Sequence, residues 1–167
     1  GHPIMEHGIL HKAPDCLYPE LMDSVFLVYY PNKEYAGTTC DAYAGHQDIA
    51  PTILALLGFS PPIPMDGRNV WDWVTGEKSD RREYATSIFG DWIWCRDEEY
   101  VYISDINGNQ DRLYSLEEDP KQHHDIAEEK PDVCRYMYER ILTDAGGFIP
   151  HYEIERGELH WYDAALI

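Results

Sequence analysis

Positive charge is scarce in this sequence: 13 Lys and Arg stand against 31 Asp and Glu in 167 residues, a formal net charge of −18. Such a field repels the nucleic-acid backbone and anionic membrane surfaces alike, so nucleic acid is excluded as an expected partner. A small anionic ligand needs local relief from that field, from a metal ion or a few aimed Lys, Arg and His side chains. Cysteine is sparse too. Cys16, Cys40, Cys95 and Cys134 lie far apart and form no CxxC, so neither a zinc knuckle nor a redox pair is signalled and buried, reduced thiols are expected. No apolar stretch approaches the length of a membrane span, and the first residues lack a signal peptide's charged start and apolar middle. Repeats and low-complexity tracts are also missing. What the chain does have is 44% apolar residues, enough to pack a core of one domain, or of one and a fragment.

The hydrophobic pattern changes character along the chain. "VFLVYYP", Val25 to Pro31, is continuously apolar and reads as an interior strand of a parallel sheet, buried on both faces. The 24 residues before it cannot supply the neighbouring strands and crossovers, so the strand is expected to be orphaned. "HQDIAPTILALLGFSPP" reads as a short helix capped by Asp48, with Pro51 in the tolerant first turn and Gly58 at the exit. Ile53, Leu54, Leu56 and Leu57 leave it almost no polar face, which predicts burial. A proline-rich connector and a short helix, "VWDWVTG", follow. From Glu83 the period becomes two: "EYATSIF", "DWIWCR", "EYVYIS" and "DRLYSL" predict an antiparallel meander. "KPDVCRYMYERILTDAGG" predicts an amphipathic helix over 131–146, with Val133, Met137 and Ile141 on its stripe. The tail from His151 to Ile167 shows no clear period.

The fold class expected is therefore an α/β remnant plus an α+β unit, the latter a four-stranded antiparallel sheet packed by a C-terminal helix. The boundaries expected are 1–60 for the α/β remnant, 61–82 for a connector with a short helix, 83–150 for sheet and helix, and 151–167 for the tail.

Three histidines and a lysine crowd the opening "GHPIMEHGILHK". His7 and His11, four apart, would share one face of a helix, but Gly8 stands where a zinc protease carries its general base and no third ligand is evident. His46 and Asp48 read as a packing residue at the helix entry and the helix cap. Arg68 in "DGRN" reads as fixing a loop. Trp92, Trp94, Tyr100 and Tyr102 are first of all sheet-packing residues, with stacking on a sugar or aryl group as the alternative.

The order "GHPIMEHGILHK", "LYPEL", "VFLVYYP", "GHQDIAPTILALLGF", "MDGRNVWDWVTGE" and "RLYSLEEDPKQHHDIAEEKPDV" resembles the C-terminal portion of the sulfatase family, within the alkaline-phosphatase-like superfamily. The resemblance runs from Gly1 to about residue 145 and implies a metal-dependent ester hydrolase. It implies that Lys12 contacts the sulfate or phosphate oxyanion, a task suited to a compact ammonium charge. For His7 two roles stay open, one supporting that lysine from behind and one purely structural. His2 is expected to face the substrate mouth.

This chain departs from the family pattern in what it lacks. The RVP step before the strand is replaced by Asp23, Ser24 and Val25, and no Cys or Ser lies in a C/SxPxR string that yields the formylglycine nucleophile. No Asp-Asp, Asp-His or Asp-Asn pair occurs, so no metal ligands are assigned within the chain and no cofactor is expected in this segment. The parent implied by the resemblance uses a divalent metal, Ca²⁺ or Mg²⁺, with a formylglycine.

The reading is thus a C-terminal segment of a hydrolase of small-molecule sulfate esters, expected to be inactive alone. The alternatives are a phosphonate or phosphate mono- or diester hydrolase of the same superfamily, and a stand-alone carbohydrate- or protein-binding module. No membrane partner is expected. A homo-oligomer formed through the exposed strand 25–30 is.

Overall fold

Four antiparallel strands arise where aromatic and β-branched residues alternate: β1 (Ala85–Phe89), β2 (Trp92–Arg96), β3 (Tyr100–Asp105) and β4 (Arg112–Ser115), in the order β1-β2-β3-β4. The computed structural model describes residues 1–31 and 33–149, together with the backbone of 151–155 and 158–162; Asn32 and the rest of the tail lie outside the described residues. The chain divides into two compact units: Gly1–Ser24 with Thr86–Ile167, and Val25–Ala85. The first 24 residues, grouped by sequence with 25–60, thus fold with the sheet.

Register fixes which side chains share a face. Cys95 opposes Tyr102 and Tyr102 opposes Leu113, while Trp94 opposes Ile103 and Val101 opposes Tyr114. Directly paired residues point the same way. One face therefore carries Cys95, Tyr102 and Leu113, and the other Trp94, Val101, Ile103 and Tyr114. A 14-residue helix, α4 (Pro131–Asp144), packs on β2 and β3 and buries Cys134, Met137 and Ile141. Its buried stripe starts at Cys134, whereas the sequence pattern placed Val133 there. Tyr138 secures α4 by donating its hydroxyl to the Ile106 carbonyl at 2.9 Å, and Arg140 pairs with Asp97. The helix ends where Gly146 adopts φ +77 and Gly147 N–H reaches back to the Leu142 carbonyl at 2.8 Å.

The opposite face is covered by residues 13–23, which include the short helix α1 (Pro19–Met22). Arg96 pairs with Asp23 at 2.9 Å, Arg112 donates to the Asp15 carbonyl at 2.9 Å, and the Tyr18 and Tyr114 hydroxyls meet at 3.3 Å. Cys16, Leu17 and Tyr18 are buried here. The sheet is thus sandwiched, and Ile93, Val101, Ile103, Leu113 and Met137 are all at 0% exposure. Each such side chain contributes roughly 1.5–3 kcal/mol relative to leaving it in water.

All four cysteines are free; Cys16, Cys95 and Cys134 are buried and Cys40 is half-buried. Burial pushes the Cys95 thiol up to about 12 and the Cys134 thiol to about 11, so both are inert packing residues.

After α4 the backbone forms a hairpin of β5 (His151–Glu155) and β6 (Glu158–Tyr162), which corrects the reading of a patternless tail. Alternation in "HYEIE" and "ELHWY", separated by an Arg-Gly dipeptide, is the signal for it.

In the 25–85 unit a 3₁₀ turn (His46–Asp48) leads into α2 (Ile49–Leu56), and α3 (Trp71–Thr75) follows. Pro51 sits in the first turn as its missing N–H permits, and Gly58 and Gly76 both leave their helices at φ +76. Two expectations are corrected here. The apolar helix α2 is not enclosed: Ile53 is 50% and Leu57 64% exposed. Val25–Tyr30, expected as an orphaned strand of interior type, has no ladder partner, as expected, but forms no strand among the described residues and is not buried, with Val25, Leu27 and Tyr29 at 80% exposure or more. Both elements have the composition of interior pieces, yet of their residues only Pro51 and Thr52 of α2 are buried. Among the described residues no helix is long and apolar enough to cross a membrane.

Candidate functional site

The opening segment forms a loop, not a helix. Met5 N–H donates to the Ile9 carbonyl at 2.8 Å and Gly8 N–H to the Met5 carbonyl at 3.1 Å, with Gly8 at φ +72. His7 and His11 consequently share no helical face: the His7 side chain is 7% exposed, whereas His11 is exposed.

Lys12 lies on the exposed stretch between two anchors. Ahead of it stands buried Pro3 and the inserted ring of His7; behind it come Cys16, Leu17 and Tyr18, with Cys16 N–H closing a turn on the Ala13 carbonyl at 3.0 Å. Pro14 rests against Gly90, where φ is +60 and an added Cβ would meet Pro14 at 3.3 Å. Lys12 itself is exposed and makes no ion pair among the described residues. His2 is exposed as well. Of the three residues singled out by sequence, Lys12 and His2 thus face solvent, while His7 is turned inward.

His7 binds protein on every side. Its ring stacks on Tyr18 with centroids 3.9 Å apart and planes within 3°, and His123 approaches at 4.9 Å. Nε2 lies 2.9 Å from the Lys121 carbonyl and Nδ1 lies 3.3 Å from Glu20 Oε2. The motif "EHG" is therefore tied to "DPKQHHD", more than a hundred residues away in sequence. That link was not visible beforehand; the doubled histidine at 123–124 is the only sequence hint of it.

The second polar centre lies within the 25–85 unit. Asp48, at 0% exposure, receives Arg82 Nη1 at 2.6 Å and Nη2 at 2.7 Å. It also accepts the Gly45 N–H at 2.8 Å and the Arg68 N–H at 2.7 Å. Burial alone would raise this carboxyl, but the Arg82 guanidinium and the two amides outweigh it and hold Asp48 below the ordinary carboxylate value. Thr52 extends the network by donating to the Asp48 carbonyl at 2.6 Å and accepting from Val70 N–H at 3.0 Å.

Asp48 stands at the N-terminus of α2, but its carboxylate bonds none of that helix's amides, which corrects the reading of it as the helix cap. It keeps the reciprocal contact with Gly45, but most of its bonds knit the 43–48, 68–70 and 82 segments together, and sequence reasoning missed Arg82 altogether. His46, expected to pack at the helix entry, is exposed. Arg68 serves the loop, as its sequence context suggested. Beside the network a cavity of about 270 Å³ is lined by Arg68, Asn69, Trp73, Lys78 and Asp80. Its cations already have partners, Lys78 with Asp72 at 2.7 Å and Arg68 with the Asp80 carbonyl at 3.3 Å.

The divalent cation implied by the resemblance does not fit the donors present. Among the described residues no three His, Cys, Asp or Glu side chains converge, and His7 is taken up by protein contacts.

No protein-family model matches the sequence. Solved structures do. A phosphonate monoester hydrolase of Agrobacterium radiobacter is 20% identical with a TM-score of 0.58, over 77% of this chain and 31% of that one. A protein of Bacteroides thetaiotaomicron assigned as a sulfatase is 21% identical with a TM-score of 0.52, over 60% of this chain and 25% of that one. The chain spans between a quarter and a third of the length of these two structures. Its architecture is that of a segment of the alkaline-phosphatase-like fold. Within that fold it is similar to a sulfatase and to a phosphonate monoester hydrolase, in agreement with the motif order.

Proposed function

We propose that the chain is a segment of a sulfuric ester hydrolase and supplies Lys12 as the contact to the ester's oxyanion. The observation that carries this reading is the solvent-facing lysine on a doubly anchored loop, at the family's lysine step, in a chain of net charge −18. In so acidic a field a point cation held in place is what a small anionic ester needs, and an ammonium group can take up charge that develops on its oxygens. His2, exposed on the same segment, lines the mouth of the cleft. In this reading the nucleophile and metal ligands belong to residues outside this sequence. The chain alone is expected to give no turnover of an aryl sulfate ester with Ca²⁺ or Mg²⁺ supplied. Hydrolysis by pure material would overturn the reading.

Phosphonate or phosphate ester cleavage is the second reading. It is favoured by the larger share of the chain that aligns with the phosphonate monoester hydrolase, 77% against 60%. Paired sulfate and phosphonate ester assays on an enzyme that carries this segment separate the two. The binding-module alternative fails on burial. Trp94 is 7% and Tyr102 1% exposed, they point to opposite faces of the sheet, and Trp92 carries Arg112 over its ring at 4.8 Å.

The exposed apolar run Val25–Tyr29 and the outer side of α2 support the segment reading, because surfaces of this kind and size call for a covering layer. For the chain by itself the unpaired edge at 25–30 is expected to find a second copy. Light scattering that reports only monomer at micromolar concentration would count against that association.

A further inference from the structure

The cavity beside the Asp48 network holds about 270 Å³ and lies wholly within the 25–85 unit. That is the small end of the range of ligand clefts, roughly 300–1,000 Å³, so an occupant has to be small. Trp73, 4% exposed, lines its base, and Arg68, Asn69, Lys78 and Asp80 line its sides.

Most of the charge around the cavity is matched. Asp72 is filled on both oxygens, Oδ1 by the Asn69 amide at 2.5 Å and Oδ2 by Lys78 at 2.7 Å. Arg82, whose guanidinium lies 5.6 Å from the Trp73 ring, is held by Asp48, and Arg81 pairs with Asp41 at 3.3 Å. Two charges are left over. The Arg68 guanidinium donates to the Asp80 carbonyl at 3.3 Å, an oxygen without formal charge, and meets no carboxylate among the described residues. The Asp80 carboxylate has no ion-pair partner among the described residues either, and Lys78 feels it more weakly than it feels Asp72.

The backbone beneath both charges is held. Arg68 N–H donates to Asp48 Oδ1 at 2.7 Å, and Arg81 N–H closes on the Ser79 carbonyl at 2.9 Å in a turn centred on Asp80. An uncompensated cation and an uncompensated anion beside an aromatic ring match the three parts of one kind of ligand. A carboxylate fits the fork of a guanidinium, an ammonium fits a carboxylate, and a flat apolar side chain lies against the indole. Such a molecule carries no net charge, so a protein of net charge −18 does not repel it, whereas a simple anion is repelled both by Asp80 and by the wider field. We propose that this cavity is a binding site for a small zwitterion, a free α-amino acid with an aromatic side chain, its carboxylate on Arg68 and its ammonium on Asp80. The site is independent of Lys12 and of any ester chemistry.

The experiment is a ¹H–¹⁵N NMR titration of the whole chain, reading the Trp73 indole N–H, the Asn69 side-chain amide and the Arg68 Nε–H. Free phenylalanine is the probe, and phenylpropionate, the same molecule without its amino group, is the control. Phenylalanine is expected to saturate these signals with a Kd of about 1–10 mM, as suits a ligand of roughly a dozen heavy atoms and two solvent-exposed charge pairs. Phenylpropionate loses the contact to Asp80 and is repelled by it, so it should bind about tenfold more weakly. Arg68→Gln should weaken phenylalanine about fivefold. Asp80→Asn should do the same and at the same time tighten phenylpropionate, a reversal of preference that a merely loosened loop would not produce. The absence of saturation below about 20 mM phenylalanine overturns the proposal. So does phenylpropionate binding as tightly as phenylalanine, or either variant within about twofold of wild type for phenylalanine. If a variant does not fold, the two ligands on the wild-type chain decide.

Discussion

Arg82→Met is expected to destabilise the 25–85 unit by about 3–5 kcal/mol, enough to unfold a unit of ordinary marginal stability. The size follows from what is left behind. Asp48 is fully enclosed and would keep two backbone donors, Gly45 and Arg68, but lose both guanidinium bonds and the countercharge they carry. An uncompensated carboxylate at 0% exposure either takes up a proton or opens the structure to water. Exchange of the Arg68 and Val70 amides, whose acceptors are Asp48 Oδ1 and Thr52 Oγ1, reads the loss where it occurs. The double variant Asp48→Asn, Arg82→Met removes both charges and should recover part of the stability, which separates a stranded charge from a lost packing contact. Acid reaches the same end by another route. The Asp48 carboxyl lies below its ordinary value in the folded chain, so its contribution is intact above that value and is lost as pH falls through the lowered one. Arg82→Met should abolish this acid-sensitive component, and full protection of both amides in that variant would refute the role given to the pair.

The meander and α4 were legible because their signals are local. Alternation of Trp, Ile, Tyr and Val with short polar turns gives strands of period two, and the four-residue spacing of Met137 and Ile141 gives the stripe that buries α4. The sandwich was not legible. That residues 13–23 cover the second face depends on Arg96 finding Asp23 and Arg112 finding the Asp15 carbonyl, and no spacing rule encodes pairs so far apart. The same limit hid Arg82. A capping Asp before a helix is a local pattern and was read as one, whereas the guanidinium that occupies the same carboxylate arrives from 34 residues downstream.

The 25–65 stretch shows the converse case. Its apolar pattern was read as interior, yet Val25–Tyr30 and much of α2 are exposed, because burial requires a covering layer as well as a suitable sequence. At the candidate site, Lys12 and His2 are both exposed. The contacts of His7 were beyond reach, since its partners Tyr18, Glu20 and Lys121 come from two other segments.

Lys12→Ala, in an enzyme that carries this segment together with its nucleophile, is expected to lower kcat by about 10²–10³, the cost of removing one donor aimed at developing negative charge. The lysine can act this way because nothing in the described structure competes for it: it is exposed, unpaired and borne on a loop fixed at both ends. Losing a contact that strengthens as the ester's oxygens gain charge lowers kcat and kcat/KM together, whereas losing one that merely holds substrate raises KM and leaves kcat alone. Lys12→Arg is the informative companion. A planar guanidinium keeps the charge but spreads it over a wider fork, so partial recovery is expected if charge is what matters, and little if a compact ammonium is required. Lys12 also lies outside both polar networks, so the variant should fold as the parent does and a changed rate can be assigned to chemistry. A loss of less than about threefold in kcat, with KM unchanged, would remove Lys12 from the reaction and with it the reading of this loop as the oxyanion side of the cleft.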